Sequence, residues 1–587
     1  MNEKIDLSAL FKNDEEAKKE LNSLTKYSKK ITSYEGKLLS SPEKLYEYLE
    51  YNSNISKRLE RLYLYAHINN DLDLTNENYN NMLGNVLNFI NDLNEKESFV
   101  VPELLEKDFS DIKDFIKKFP KLKEYENELK SIYKAKKYIK SKEEEKLITL
   151  LSSVYSKSED SSELLLTTDM DFGYITNEKG EKVKLTISNF STYIKSSSQS
   201  VRLNAFENLY KEIAHYENTF NSIYTTKVMS NNKIAKIRGF KTARSLSLYC
   251  NDIKNDIYDN LISGIKNNLP IFYKYYDLKK KVLGLKELHI YDTYANITKD
   301  FDKTYSYDEA KNLVLSSLEV MGKDYINVIK KAFDEHWIDV LPKENKREGG
   351  YCTCAYLAHP YVVINYEGKL DDVSTLIHEL GHAMHYYYAQ NYNTYEDYNY
   401  SIFVAEVASQ VNEIILTNYM LNHTNDINEK KYILDSILQR FKATMVRQTM
   451  FAHFEDNIHN KEISGEVLTK ELVQKEYLDL NKLYFGPNVV VDDYIKYECY
   501  RIPHFYYNFY VYQYATGYAA ALKIANDIIN KKNGALESYI KFLKIGSKLD
   551  PVKSLKVAGV DMESPTLYDE VFAFCDKTRK ELEDLYE

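Results

Sequence analysis

Over most of this chain apolar residues recur at three- and four-residue spacing, a rhythm that predicts helices. From Glu15 to about Leu151 charged and apolar positions alternate in this way, with Pro102 and Pro120 expected as breaks between helices. Two islands depart from the rhythm. Tyr174 to Thr186 sets the turn cluster Asn177-Glu178-Lys179-Gly180 between β-prone runs, which predicts a hairpin. Gly349 to Tyr366 carries a Gly-Gly pair and the run Tyr361-Val-Val-Ile-Asn-Tyr, then ends at Glu367-Gly368. Helical spacing resumes at Ser200, with no internal repeat. The expected fold is mainly α, and 587 residues exceed what one core usually holds, so two helical lobes are expected. The hairpin marks the division: an N-terminal helical lobe over 1–195 and a second domain over 196–587.

Composition narrows the picture. Eighteen glycines and ten prolines are too few for the turns of an all-β protein. No stretch approaches the roughly 18 apolar residues of a membrane span, and the opening Met1-Asn2-Glu3-Lys4-Ile5-Asp6 is charged, unlike a secretion signal. Five scattered cysteines do not form a disulfide framework, so a reducing, cytoplasmic location is expected. A net charge of −10, with both signs interspersed, argues against nucleic acid or an anionic membrane as partner. The 54 tyrosines are expected as half-buried packing residues.

Chemistry concentrates after the second island. Asp371 and Asp372 can cap a helix whose buried stripe is Val373, Leu376, Ile377, Leu380 and Met384. On it, His378 and His382 are one turn apart and can reach one zinc ion together. Glu379 points beside that ion, placed to take a proton from water rather than to bind metal. With 12 histidines in the chain, chance supplies only about 0.02 copies of His-Glu-x-x-His. Catalytic zinc takes a third protein ligand and keeps one position open. The segment Ile402 to Ile415 offers Glu406 and Glu413 on one face of an apolar helix. Glu406, 24 residues past His382, is the nearer candidate, and Glu413 can orient an imidazole. His385, at i+7 from His378, stays open as substitute ligand, orienting group or packing residue. Cys352 and Cys354, two apart on an expected strand, read as small buried residues.

Downstream, Arg501-Ile-Pro-His504-Phe-Tyr-Tyr507 runs into Tyr510-Val-Tyr-Gln-Tyr514-Ala-Thr-Gly517-Tyr518, expected as one aromatic helix with His504, Tyr507, Tyr514 and Tyr518 on one face. Such a stripe is usually packing. Here the density of hydroxyls behind a histidine suggests donors for a developing oxyanion and a clamp for a peptide carbonyl.

These residues resemble the oligoendopeptidase F group of the thimet oligopeptidase family of zinc peptidases. The likeness rests on His378-Glu-Leu-Gly-His382-Ala-Met-His385, on Phe403-Val-Ala-Glu406 with Ser409-Gln410 and Glu413, and on the Arg501 to Gly517 run. It also takes in Gly546-Ser547 to Pro551 and Ala558-Gly559 to Pro565. Together these cover roughly residues 165 to 570, and the first 110 residues match only in being helical. The resemblance implies a two-lobed helical shell around a deep channel for oligopeptides, with a small β-sheet beside the metal. It implies one zinc per chain held by His378, His382 and Glu406, Glu379 as base, and His504 with Tyr507 as transition-state donors, His385 not being a ligand. The strand over Gly349 to Tyr356, with Gly350 and Tyr351 at its start, would pair with substrate backbone, and Tyr510 and Tyr514 would assist in binding. Two other readings remain: a zinc hydrolase of a non-peptide amide or ester, and a peptide-binding protein with a structural zinc. Oligomeric state is open.

Overall fold

The structure, a computed structural model, describes residues 4–298 and 303–587. The charged opening Met1-Asn2-Glu3 lies outside them. Helices dominate, as the spacing predicts. By contacts the chain groups into two compact units, the first from Met1–Tyr138, Asp302–Tyr419 and Ile524–Gly559, the second from Ile139–Phe301, Met420–Lys523 and Val560–Glu587. This grouping cuts the chain elsewhere than at 195/196. Residues 139–195 go with the second unit because the hairpin packs on the helix after it, where the Asn208 side-chain amide donates to Tyr174 O at 3.1 Å.

In the first unit a 31-residue helix, Pro42–Leu72, starts at Ser41, whose hydroxyl accepts from Lys44 N, and at Pro42, whose fixed φ suits a first helical position. Its buried stripe includes Leu45, Leu49, Leu59 and Leu62. The core it joins continues into Ala355, Ala358, Tyr361 and Val363, so the N-terminal helices and the second β island share one interior. Pro120 breaks the chain as expected and begins the short 3-10 helix Pro120–Tyr125, whereas Pro102 falls inside the short helix Val100–Leu104, in the first turn, where a missing N–H breaks no bond.

The hairpin is β1 (Tyr174–Thr176) paired antiparallel with β2 (Lys182–Lys184), and β3 (Leu288–His289) lies parallel to β7 (Val489–Val490), both in the second unit. In the first unit β4 (Ile338–Asp339), β5 (Tyr351–Thr353) and β6 (Tyr361–Val363) form a sheet ordered β4-β6-β5, with Tyr351 opposite Val363 and Thr353 opposite Tyr361. Strand β5 is an edge. Buried Lys346 ties the sheet together, donating to Asp339 Oδ1 at 2.8 Å and to the Leu341 and Ile364 carbonyls, so the buried charge is fully paired.

The second unit packs the helix Asn255–Val282 against Thr566–Asp584. Many tyrosines are buried more deeply than expected and find partners there, Tyr210 OH donating to Glu498 and Tyr275 OH to Asp435. No described helix is long and apolar enough to cross a membrane.

Candidate active site and metal centre

The two predicted site helices are Leu370–Tyr392 and Ile402–His423. Asp372 starts the first by accepting from the backbone of Lys369 and Glu367, and the stripe Val373, Leu376, Ile377, Leu380 and Met384 is buried throughout. At Gly381 the helices meet backbone to backbone: a Cβ there would lie 2.5 Å from Ser409 Cα and 2.7 Å from Ala408 O. Glycine between the histidines is therefore what lets the two helices close. The Asn412 amide, donating to Ile377 O at 3.4 Å and accepting from Tyr325 OH at 2.9 Å, pins the pair. Gly381→Ala is expected to wedge the helices apart, costing about 1–3 kcal/mol as overpacking does, and to weaken metal retention. Thermal melting and metal content of the purified variant check both.

That approach brings His378, His382 and Glu406 together, with ligand atoms all within 4.8 Å of one another. Glu406 Oε2 lies 3.3 Å from His378 Nε2 and 3.6 Å from His382 Nε2. A tetrahedral zinc with bonds of ~2.0–2.1 Å sets its ligand atoms ~3.3–3.4 Å apart, so the set fits the ion. Among the described residues no fourth histidine, cysteine or carboxylate joins the group. The His378 Nδ1–H meets Glu413 Oε1 at 2.5 Å, which leaves Nε2 bare and aimed at Glu406. His382 is hydrogen-bonded to the Ala405 backbone, and the Ser409 hydroxyl donates to Glu406 Oε2 at 3.1 Å.

Burial penalises the ionised Glu406 carboxyl, but its position against the His378 and His382 rings and the Ser409 hydroxyl outweighs this and holds the group down at about 2. Burial, helped by the neighbouring His378, brings His382 down to about 4, so both groups favour the deprotonated forms that bind metal. Glu379 is 6% exposed, and burial, reinforced by Glu406, pushes its carboxyl up to about 7.

His385 stands apart from the ligand group. Its ring stacks on Tyr400 with centroids 3.6 Å apart and packs near Phe542, a packing role in a dry environment. Gly350 is pressed on the histidine helix, where a Cβ would come within 3.1 Å of Thr375 Cγ2. Tyr351 turns its ring edge-on to His67 of the helix Pro42–Leu72, and burial with nearby Asp71 raises its hydroxyl far above the usual range. Cys352 and Cys354 are free thiols, Cys354 buried.

The downstream aromatic run is not one helix. Pro503–Tyr506 makes a single turn, the chain reverses at Asn508 and Phe509, both with positive φ, and a helix begins only at Tyr512. This turn, rather than a helix face, gathers His504 with Tyr507, Tyr510 and Tyr514 within the second unit, ring centroids 5.5, 6.3 and 5.7 Å from the imidazole. The Tyr514 hydroxyl lies 3.4 Å from His504 Nε2. Tyr518, expected on the same face, is instead core, packed near Phe441.

Sequence reasoning found nothing in the first 110 residues, yet two of their carboxylates hold the β5 segment. Glu60 accepts from Tyr356 N at 2.8 Å, and buried Asp71 pairs with Arg347 at 2.7 Å. Partners nearly 300 positions away leave no local pattern; only the burial of Asp71 among the apolar residues of its helix hints at a role.

Residues 192–574 match Peptidase family M3, and residues 103–172 match Oligopeptidase F. The chain belongs to peptidase family M3. It is similar to oligopeptidase PepF of Bacillus subtilis, 39% identical over 581 residues, covering 99% of this chain and 86% of that one. A peptidase structure from Chlamydophila abortus superposes with a TM-score of 0.94 at 32% identity, over 99% of this chain and 98% of the other. Oligoendopeptidase F from Enterococcus faecium gives a TM-score of 0.75 at 31% identity, over 98% and 99%. The likeness thus extends through the first 110 residues, and peptide hydrolysis is the M3 activity it brings.

Proposed function

We propose that this M3 peptidase is a zinc-dependent endopeptidase that hydrolyses internal bonds of short oligopeptides. The observation that carries the reading is the convergence of His378, His382 and Glu406, with Glu406 Oε2 3.3 and 3.6 Å from the two Nε2 atoms, near the edge length of a zinc tetrahedron, and with Glu379 on the histidine helix. Those three residues would hold one ion. When bound, it supplies Lewis acidity, lowering the pKa of water toward neutrality and polarising a carbonyl. Glu379 takes the proton of the attacking water and delivers it to the departing amine nitrogen. Its burial suits it to hold that proton in between. Glu413 keeps His378 in the tautomer whose Nε2 is free. His504 and Tyr507, with Tyr510 and Tyr514 around them, supply donors to the developing oxyanion and to substrate carbonyls.

The free edge of β5 is the natural partner for a peptide main chain, since Tyr351 commits its side chain to the N-terminal helix and Gly350 has none. Backbone pairing makes few demands on side chains, so tolerance of varied sequences follows. Five free thiols suit a reducing compartment, and we place the activity in the cytoplasm. The three-ligand set, with His385 stacked elsewhere, speaks against a closed structural zinc. Metal analysis paired with digestion of a ten-residue peptide and of a folded protein tests ion, reaction and size limit together. One equivalent of zinc and cleavage of the peptide alone are expected; ester hydrolysis without peptide cleavage would overturn the reading.

A further inference from the structure

The reversal that gathers the aromatic cluster is built from two residues poorly suited to it. Asn508 and Phe509 have φ of 53° and 59°, in the left-handed region that residues with side chains rarely adopt. Two ties hold them there. From one side the Ser247 hydroxyl donates to Asn508 O at 2.8 Å; from the other, Phe509 N–H donates to Glu455 Oε1 at 2.7 Å. Glu455 belongs to the helix Arg447–Ile463 and is fully buried. Its second oxygen has no hydrogen-bond partner among the described residues. Burial pushes the carboxyl up to about 8, against the opposing pull of the Phe509 N–H. The Phe509 ring packs between His459, 4.8 Å away, and Tyr258, 5.9 Å away, while His459 Nδ1–H donates to Glu455 O at 2.9 Å. An apolar side chain would fill this space at less cost than a carboxyl with one oxygen unpaired, so packing does not account for Glu455. Holding the turn does.

We propose that Glu455 is a positioning residue for the aromatic cluster, fixing through Phe509 N–H the left-handed turn that sets His504 and Tyr507 beside Tyr510 and Tyr514. The inference rests on the reading that this cluster assists catalysis. Glu455 touches neither substrate nor metal ligand; it acts through the backbone.

Glu455→Met removes the acceptor while filling the same space, and Glu455→Gln keeps an acceptor oxygen. Each would be studied as the full-length, zinc-loaded chain, alongside His504→Ala and Tyr507→Phe. For Glu455→Met we expect kcat to fall ~30-fold, the scale on which a displacement of about 1 Å is felt, with KM within about threefold and zinc content unchanged. Hydrogen exchange at the Phe509 amide should quicken at least ~10-fold as its acceptor is lost. Glu455→Gln should keep kcat within about fivefold and the amide protected, since the acceptor remains. Adding Asn508→Gly, which adopts the left-handed turn without strain, should restore a good part of the kcat lost in Glu455→Met. A folded Glu455→Met protein with parental kcat, or one whose kcat falls while the Phe509 amide stays protected, would overturn the inference. Should Glu455→Met not fold, a Glu455→Gln protein that loses kcat with the amide still protected would do the same. Parental kcat in both His504→Ala and Tyr507→Phe would instead sink the catalytic reading of the cluster, with the exchange result still reporting the tie itself.

Discussion

Glu379→Gln is expected to hold zinc as the parent does while kcat for a fluorogenic peptide falls by ~10³–10⁴, the upper range of what a positioned acid–base group contributes. The substitution is isosteric, and Glu379 is not among the groups that converge on the candidate ion, so the helix Leu370–Tyr392 and its two imidazoles should be undisturbed. What changes is the lone pair. An amide oxygen at this buried position can accept a hydrogen bond from water but cannot take its proton, and it has none to pass to a leaving amine. The drop should therefore appear in kcat, with KM near the parental value, because the proposed substrate pairing along β5 would need nothing from residue 379. Side-by-side metal analysis and steady-state kinetics decide the matter: turnover within tenfold of the parent would remove Glu379 from the reaction, and loss of zinc would mean that it supports the metal instead.

How much of this was legible in the sequence follows from how local each feature is. The His378–His382 pair and the stripe beside it depend on one helix, whose period can be counted, and the structure shows both. Glu406 and Glu413 were legible as carboxylates too costly to leave unpaired in an apolar helix, although the reason the helices approach, the absent Cβ of Gly381 against Ser409, lies in three dimensions. The hairpin at Tyr174 could be read from its turn residues. The aromatic run after Arg501 misled, because its periodicity is helical and nothing in Tyr507-Asn508-Phe509-Tyr510 announces two left-handed residues. Glu455 and Ser247, distant in sequence, hold them so. The same holds for Glu60 and Asp71, and for a division into units that the chain crosses five times. Short-range periodicity writes elements into a sequence; backbone anchors and close helix contacts are long-range and leave no such trace.

His382→Ala, four residues along the same helix, is expected to fail in the opposite way, losing metal and activity together. Removing one of three protein ligands should weaken zinc binding by at least ~10³-fold, given that complete protein sites bind zinc with about 10 kcal/mol or more. Little remains to compensate. Glu406 Oε2 would keep only His378, at 3.3 Å, and His385 cannot swing in without leaving its face-to-face stack on Tyr400 and its place beside Phe542. A readout independent of catalysis follows from linkage: an ion at 100 times its Kd stabilises the folded state by about 2.7 kcal/mol, so added zinc should raise the melting temperature of the chelator-treated parent and of Glu379→Gln alike. It should leave that of His382→Ala unmoved. A His382→Ala protein that melts higher with zinc and still cleaves peptides would show that the imidazole is no ligand, and the tetrahedral spacing of its Nε2 from Glu406 would then be a coincidence of packing.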